Sequence, residues 1–140
     1  MVAVSQTPLG CLLDSGIFIA VERRGFDLDG FMRDNPYLTY AMSSITAAEL
    51  LIGARLTPPA QRKQHEKTVG NYFSEFAVLD FDIHCARQWV TITAELREKG
   101  QLIGAHDLLI AATALRHGYS VATFNAREFS RIPNLTVITP

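Results

Sequence analysis

Gly104-Ala-His-Asp107-Leu-Leu-Ile-Ala-Ala-Thr-Ala114 is a helix carrying one acid. From Leu108 to Ala114 every residue except Thr113 is apolar or a good helix former, which predicts a helix buried on most of its circumference rather than on one stripe. Asp107 then stands at the entrance of a core helix. Desolvating a carboxylate there is costly unless the helix N-terminus, a cation or hydrogen bonds offset the loss, so Asp107 is either a cap or a ligand. The decision rests on whether other elements deliver further acids to the same place.

Outward from this helix, strands and helices alternate. Gly10-Cys-Leu-Leu-Asp14 is a short apolar run ended by an acid and followed by Ser15-Gly16, the pattern of a buried parallel strand entering a turn. Ile17–Arg23 and Phe26–Arg33 read as short helices around Gly25, with Asn35-Pro36 as a stop. Tyr40–Ile45 is the second strand. Thr46 opens a helix through Arg55, Thr57-Pro58-Pro59 breaks the chain, and a polar helix runs from Gln61 to Phe76. Val78-Leu79 is a brief third strand, and Asp82 caps a helix from Ile83 to Lys99 that stops at Gly100. The helix from Asp107 to His117 ends at Gly118; Ser120–Phe124 is the fourth strand, Asn125–Phe129 a turn of helix and Thr136–Ile138 the last strand. This order predicts a three-layer α/β/α domain with a mainly parallel central sheet of about five strands, in which ligands gather outside the strands' carboxyl ends.

At 140 residues the chain reads as a single domain, with residues 1–8 an N-terminal extension of no assigned role, and it is long enough to bury about 68–70% of its unfolded surface. Cys11 and Cys85 have no metal-ligand spacing and sit where small buried hydrophobes serve, so a cytosolic, cytoplasmic location is the plain reading. Residues 1–10 carry no Lys or Arg, and the apolar runs break at Asp14, Glu22 and Arg23. Neither a signal peptide nor a membrane span is expected. With 13 basic against 14 acidic side chains, the net charge of −1 excludes a generic polyanion binder but leaves room for a local basic patch.

Placed on this scheme, Asp14 ends strand one, Glu49 lies in the first turn after strand two, and Asp107 opens the helix that runs back toward strand four. Each has an ordinary explanation. Thr46-x-x-Glu49 matches a capping box, and an acid at a helix N-terminus gains roughly 0.3–1 kcal/mol. Capping gives no reason, however, for the acids to share one edge of the sheet; together they indicate a cation site. Carboxylates are hard ligands, and no clustered Cys or paired His lies nearby, so Mg²⁺ is expected, with Mn²⁺ as its substitute. His106 reads as a local hydrogen bonder beside the site, and His65, His84 and His117 as structural or solvent-facing.

Four segments in order, Leu12-Leu13-Asp14-Ser15, Ser43-Ser-Ile-Thr46-Ala-Ala-Glu49-Leu50, Asp107-Leu-Leu-Ile-Ala-Ala-Thr-Ala114 and Thr123-Phe-Asn125-Ala-Arg-Glu128-Phe129-x-x-Ile132-Pro133, resemble those of PIN-domain ribonucleases of the VapC toxin type, across nearly the whole chain. The resemblance implies a Mg²⁺-dependent endoribonuclease toxin that is a homodimer and is neutralised by a cognate antitoxin. It matches Asp14, Glu49 and Asp107 to the family's acidic cluster, and places Asn125 where many members carry a fourth acid. A divalent ion would screen the carboxylates from the RNA, bind the scissile phosphate and make water acidic enough to attack. In-line attack leaves a 5′-phosphate and a 3′-hydroxyl. Asp14 and Asp107 are the expected metal ligands, with Glu49 a ligand or the group that orients water. Ser15, Thr46, Asn125 and Glu128 are auxiliary candidates; Arg23, Arg24, Arg55, Arg127 and Arg131 could line the mouth.

Other classes fit less well. A phosphoacceptor receiver domain needs an acidic pair at strand one and a late Lys, but Leu12 and Leu13 precede Asp14 and no Lys lies beyond Lys99. A haloacid-dehalogenase phosphatase needs a second Asp where Gly16 stands. The alternative is a PIN-like RNA- or protein-binding module without catalysis, since Asn125 removes a charge from the cluster.

Overall fold

The computed structural model describes residues 7–140; of the expected N-terminal extension, residues 1–6 lie outside them. β1 (Gly10–Leu13) is paired on one side with β2 (Tyr40–Ser43) and on the other with β4 (Tyr119–Ala122), β3 (Ala77–Leu79) lies beyond β2, and β5 (Val137–Ile138) lies beyond β4. All four pairings are parallel, so the sheet, in the order β3-β2-β1-β4-β5, is parallel throughout rather than mainly so. Helices cover both faces, as a parallel sheet requires.

β1 shows how the sequence builds this. Its side chains alternate between faces: Cys11 and Leu13 join one apolar cluster and Leu12 the other, all fully buried. The first cluster is completed by α1 (Ser15–Arg24), α2 (Leu28–Asp34), α3 (Ser44–Arg55) and α4 (Pro59–Glu75), through residues such as Phe18, Phe31, Leu50 and Tyr72. The second packs α5 (Ile83–Glu98), α6 (Ala105–His117) and the single turn α7 (Ala126–Phe129) on the opposite face, with Ile92, Leu96, Ile110 and Phe129 at its centre. α6 is buried from Ile110 to Ala114, as its composition predicts. Gly25 and Gly118 end α1 and α6 in the left-handed region, at φ 62° and 69°, where a residue without Cβ is unstrained.

Several boundaries differ from the sequence reading. α4 begins at Pro59 rather than Gln61, because a proline at the first helical position has no N–H to satisfy and its φ is already helical. α2 begins at Leu28, where Asp27 accepts the Gly30 N–H at 3.0 Å and fixes the start. No helix among the described residues is long and apolar enough to cross a membrane.

The strand order places the site. The chain leaves β1 toward β2 on one side and returns to β4 on the other, so the crevice between the carboxyl ends of β1 and β4 is the switch point at which parallel sheets bind ligands.

Candidate active site

Asp14 directly follows β1 and is buried. It is the N-cap of α1, and its carboxylate is held at both oxygens: Oδ1 accepts the Ser15 N–H at 2.9 Å, and Oδ2 accepts the Thr123 hydroxyl at 2.8 Å. Burial raises its pKa above the ordinary aspartate value, and these two donors partly offset the rise. Ser15 thus serves Asp14 through its backbone. Thr123 was not singled out in the sequence, although it is the residue directly after β4, as Asp14 directly follows β1. Its hydroxyl also accepts the Asn125 N–H at 2.9 Å, so one buried oxygen joins the two strand ends.

Asp107 is not the cap of its helix. α6 starts two residues earlier, at Ala105, with Gly104 as N-cap and no side-chain capping bond. The carboxylate is therefore free of that duty. Its Oδ2 accepts the Asn125 amide at 3.0 Å, and the same amide lies 3.4 Å from Glu128 Oε2. Burial, followed by the charges of Asp14, Glu128 and Glu49, pushes the Asp107 pKa up to about 6. Glu128, expected only as an auxiliary, thus borders the cluster. The Gly104 backbone N–H and the Asn125 amide hold its carboxyl below the usual glutamate range.

The capping box at Thr46 and Glu49 does not form. α3 starts at Ser44, and the buried Ser43 hydroxyl at the end of β2 caps it by accepting the Thr46 N–H at 3.0 Å. Thr46 is thereby the third residue of the helix; its hydroxyl faces Ser43 Oγ at 3.3 Å and bonds no acid. Glu49, a turn further on, has Oε2 at 3.6 Å from His106 Nδ1, while its Oε1 is buried with no hydrogen-bond partner among the described residues. His106 thus contacts the site through Glu49, and His65 joins Thr57 and Glu22 elsewhere.

The side chains as they lie do not converge on one point: among the described residues, no three of His, Cys, Asp or Glu form a group able to hold a metal ion. The donor set nevertheless has the chemistry of a hard cation site. It consists of carboxylates, includes an orphaned buried oxygen on Glu49, and has no ion pair from Lys or Arg to Asp14, Glu49 or Asp107 among the described residues.

Residues 11–135 match the family model of the PIN domain. Ribonuclease VapC1 of Rickettsia felis is 35% identical over 135 residues, covering 94% of this chain and 96% of its own. The tRNA(fMet)-specific endonuclease VapC of Salmonella typhimurium is 38% identical over 96 residues, 69% of this chain and 71% of its own. Among solved structures, VapBC2 of Rickettsia felis bound to a promoter DNA fragment superposes with a TM-score of 0.83 at 28% identity, covering 94% of this chain and 98% of that one. DNA-bound VapBC of Salmonella typhimurium gives 0.82 at 31% identity, with the same coverage. A parallel sheet in the order β3-β2-β1-β4-β5, acids gathered at its switch point and likeness over nearly the whole length lead to one assignment: the chain belongs to the PIN-domain family, within its VapC ribonucleases.

Proposed function

We propose that this chain is a divalent-metal-dependent endoribonuclease, the toxin of a toxin–antitoxin pair, which works with Mg²⁺ or Mn²⁺ and is neutralised by a cognate antitoxin. The observation that carries the reading is the gathering of Asp14, Asp107 and Glu49 around one crevice, close enough that the charges of Asp14 and Glu49 raise the pKa of Asp107, with no Lys or Arg paired to them among the described residues. The relatives, ribonucleases and a tRNA-specific endonuclease, support the reaction class, and the VapBC assemblies support the partner.

An RNA strand and a carboxylate cluster repel each other, so a cation held by Asp14 and Asp107 is what makes them compatible. Once bound, it would supply Lewis-acid stabilisation of the charge that builds on the phosphate, and would make water more acidic. The protein's own groups do the positioning. The Ser15 N–H and Thr123 hydroxyl fix Asp14, and the Asn125 amide fixes Asp107. Glu49, with one oxygen unpartnered among the described residues, would hold the cation or orient the attacking water. Water attacks phosphorus in line with the leaving 3′ oxygen; the P–O3′ bond breaks, leaving a 5′-phosphate and a 3′-hydroxyl, and the 2′-hydroxyl is not consumed. The buried, unbridged Cys11 and Cys85 support the cytoplasmic location proposed with this function.

We also place two protein contacts, a symmetric homodimer and the antitoxin. On this side of the sheet Phe31, Leu50 and Tyr72 are buried in the core and Phe26 packs against it, whereas Leu51 and Ile52 are exposed on α3. Separately, the exposed Ile19 and Leu56 line a groove of about 950 Å³ between α1, α3 and α4 that reaches Glu49.

The test is RNA cleavage with and without divalent ions. Asp14→Asn and Asp107→Asn should each abolish metal-dependent cleavage of RNA while circular dichroism stays native. Undiminished cleavage by either variant would sink the assignment. Metal binding without cleavage by the parent chain would favour the non-catalytic module.

A further inference from the structure

Between the two residues that steady the acids, Thr123 and Asn125, stands Phe124, an aromatic ring that is 40% exposed. It directly follows the buried Ala122 and Thr123, and its two neighbours in the chain contact Asp14 and Asp107, which sets its backbone beside the acids. The ring does not stand alone. The Arg24 guanidinium carbon lies 4.7 Å from its centroid, and Phe26 meets it nearly at right angles, with centroids 5.6 Å apart. Arg24 is exposed and makes no ion pair among the described residues, so its charge is not spent inside the protein. Gly25, in the left-handed conformation that ends α1, turns the chain between Arg24 and Phe26 so that both reach the same ring.

An exposed aromatic ring backed by a free guanidinium is what single-stranded nucleic acid uses as a platform: the base stacks on the flat surface, and the cation answers the phosphate. Arg23, next in the chain, lines the groove that reaches Glu49, so a second cation stands beside Arg24 at the end of α1. We propose that Phe124 and Arg24 form a nucleobase subsite, on which an unpaired base adjoining the scissile phosphate stacks while Arg24 contacts the neighbouring backbone phosphate. This rests on the RNA-cleavage reading above and adds to it a requirement: the substrate nucleotide beside the cut is unpaired. The subsite favours single-stranded loops and discriminates little among bases, since every base presents a π-face.

The test is a substrate series on the intact chain. For a single-stranded oligoribonucleotide, Phe124→Ala should raise KM by about fivefold or more, the effect of losing one base stack, with a much smaller change in kcat. Phe124→Leu, which keeps apolar packing on Phe26 but removes the flat face, should behave the same way, and Phe124→Tyr should restore the parent KM. An abasic site at the nucleotide beside the cut should raise the parent's KM by a similar factor and have little further effect on Phe124→Ala. Independent effects of the two changes, or an unchanged KM in both Phe124→Ala and Phe124→Leu, would overturn the subsite. Binding of the same oligonucleotide with 2-aminopurine at that position separates this from the activity itself. Quenching by the parent and not by Phe124→Leu supports the subsite even if no cleavage occurs, and equal quenching by both refutes it. Weakened antitoxin binding by Phe124→Leu with RNA behaviour unaltered would assign the surface to the protein partner instead.

Discussion

Asp107 concentrates the electrostatics of the site. Its folded-state pKa is raised from 3.8 to about 6, foremost by burial and then by neighbouring carboxylates. Because the value is raised, folding favours the protonated form: that stabilisation is complete below about pH 4 and is lost as pH rises through about 6. Metal-free protein should therefore weaken across this interval, and Asp14, shifted the same way, adds to the trend. Asp107→Asn removes the charge at nearly constant shape. In chelator at pH 7.5 its Tm should exceed the parent's by a few degrees, and the advantage should close by about pH 4; scanning calorimetry at both values checks the sign. Asn125 acts in the opposite direction. Its amide donates to Asp107 and approaches Glu128, so Asn125→Asp replaces a donor by a carboxylate facing two others. The variant should be less stable than the parent without metal and should bind Mn²⁺ more tightly, whereas Glu128→Gln should lower cleavage several-fold without abolishing it. The parent, with three carboxylates and an amide, should hold one ion before RNA arrives. Titration calorimetry that finds two tight sites in the parent, or no gain for Asn125→Asp, would contradict this assignment.

At the scale of elements, α3 shows that a helix start and a site residue can be told apart. Since Ser43 caps the helix and Glu49 does not reach back to it, the two substitutions should separate stability from activity. Ser43→Ala should cost about 1 kcal/mol, the usual loss for an N-cap, seen as an earlier urea midpoint. Glu49→Gln should keep or raise the midpoint and lose cleavage; a midpoint that falls as in Ser43→Ala would return Glu49 to a structural role. The sequence carried the order of elements because it is written in local terms. β1 is apolar on both faces, α6 is apolar nearly all round, and Gly25 and Gly118 stop their helices. It did not carry the start of α6, because Gly104 caps by backbone conformation and leaves no side-chain signature. Nor did it carry the Thr123–Asp14 bond, which joins residues 109 apart and exists only once β1 and β4 lie side by side. Asp14 and Glu128 were legible as acids, but each is held partly by a tertiary bond, from Thr123 to Asp14 and from the Gly104 N–H to Glu128.

On the whole molecule, the net charge of −1 says nothing of where the charges lie. Asp14, Glu49 and Asp107 sit near one end of the sheet, and the groove between α1, α3 and α4 leads from Glu49 past Ile19 to Leu56, which is 75% exposed. Such a groove suits an amphipathic segment whose apolar face covers Ile19 and Leu56 and whose basic end reaches Glu49. On the proposed function, neutralisation would follow from charge alone: a cation of the partner placed among the acids would take the place of the divalent ion. An antitoxin purified with this chain should therefore both suppress RNA cleavage and weaken Mn²⁺ binding. Leu56→Glu, which sets a charge in that groove, should reduce the antitoxin's affinity by about tenfold or more, equivalent to roughly 1.4 kcal/mol, and should restore cleavage in the mixture. Antitoxin that blocks cleavage while leaving Mn²⁺ affinity untouched would place its inhibitory contact away from the acids. Undiminished affinity in Leu56→Glu would place its segment outside this groove.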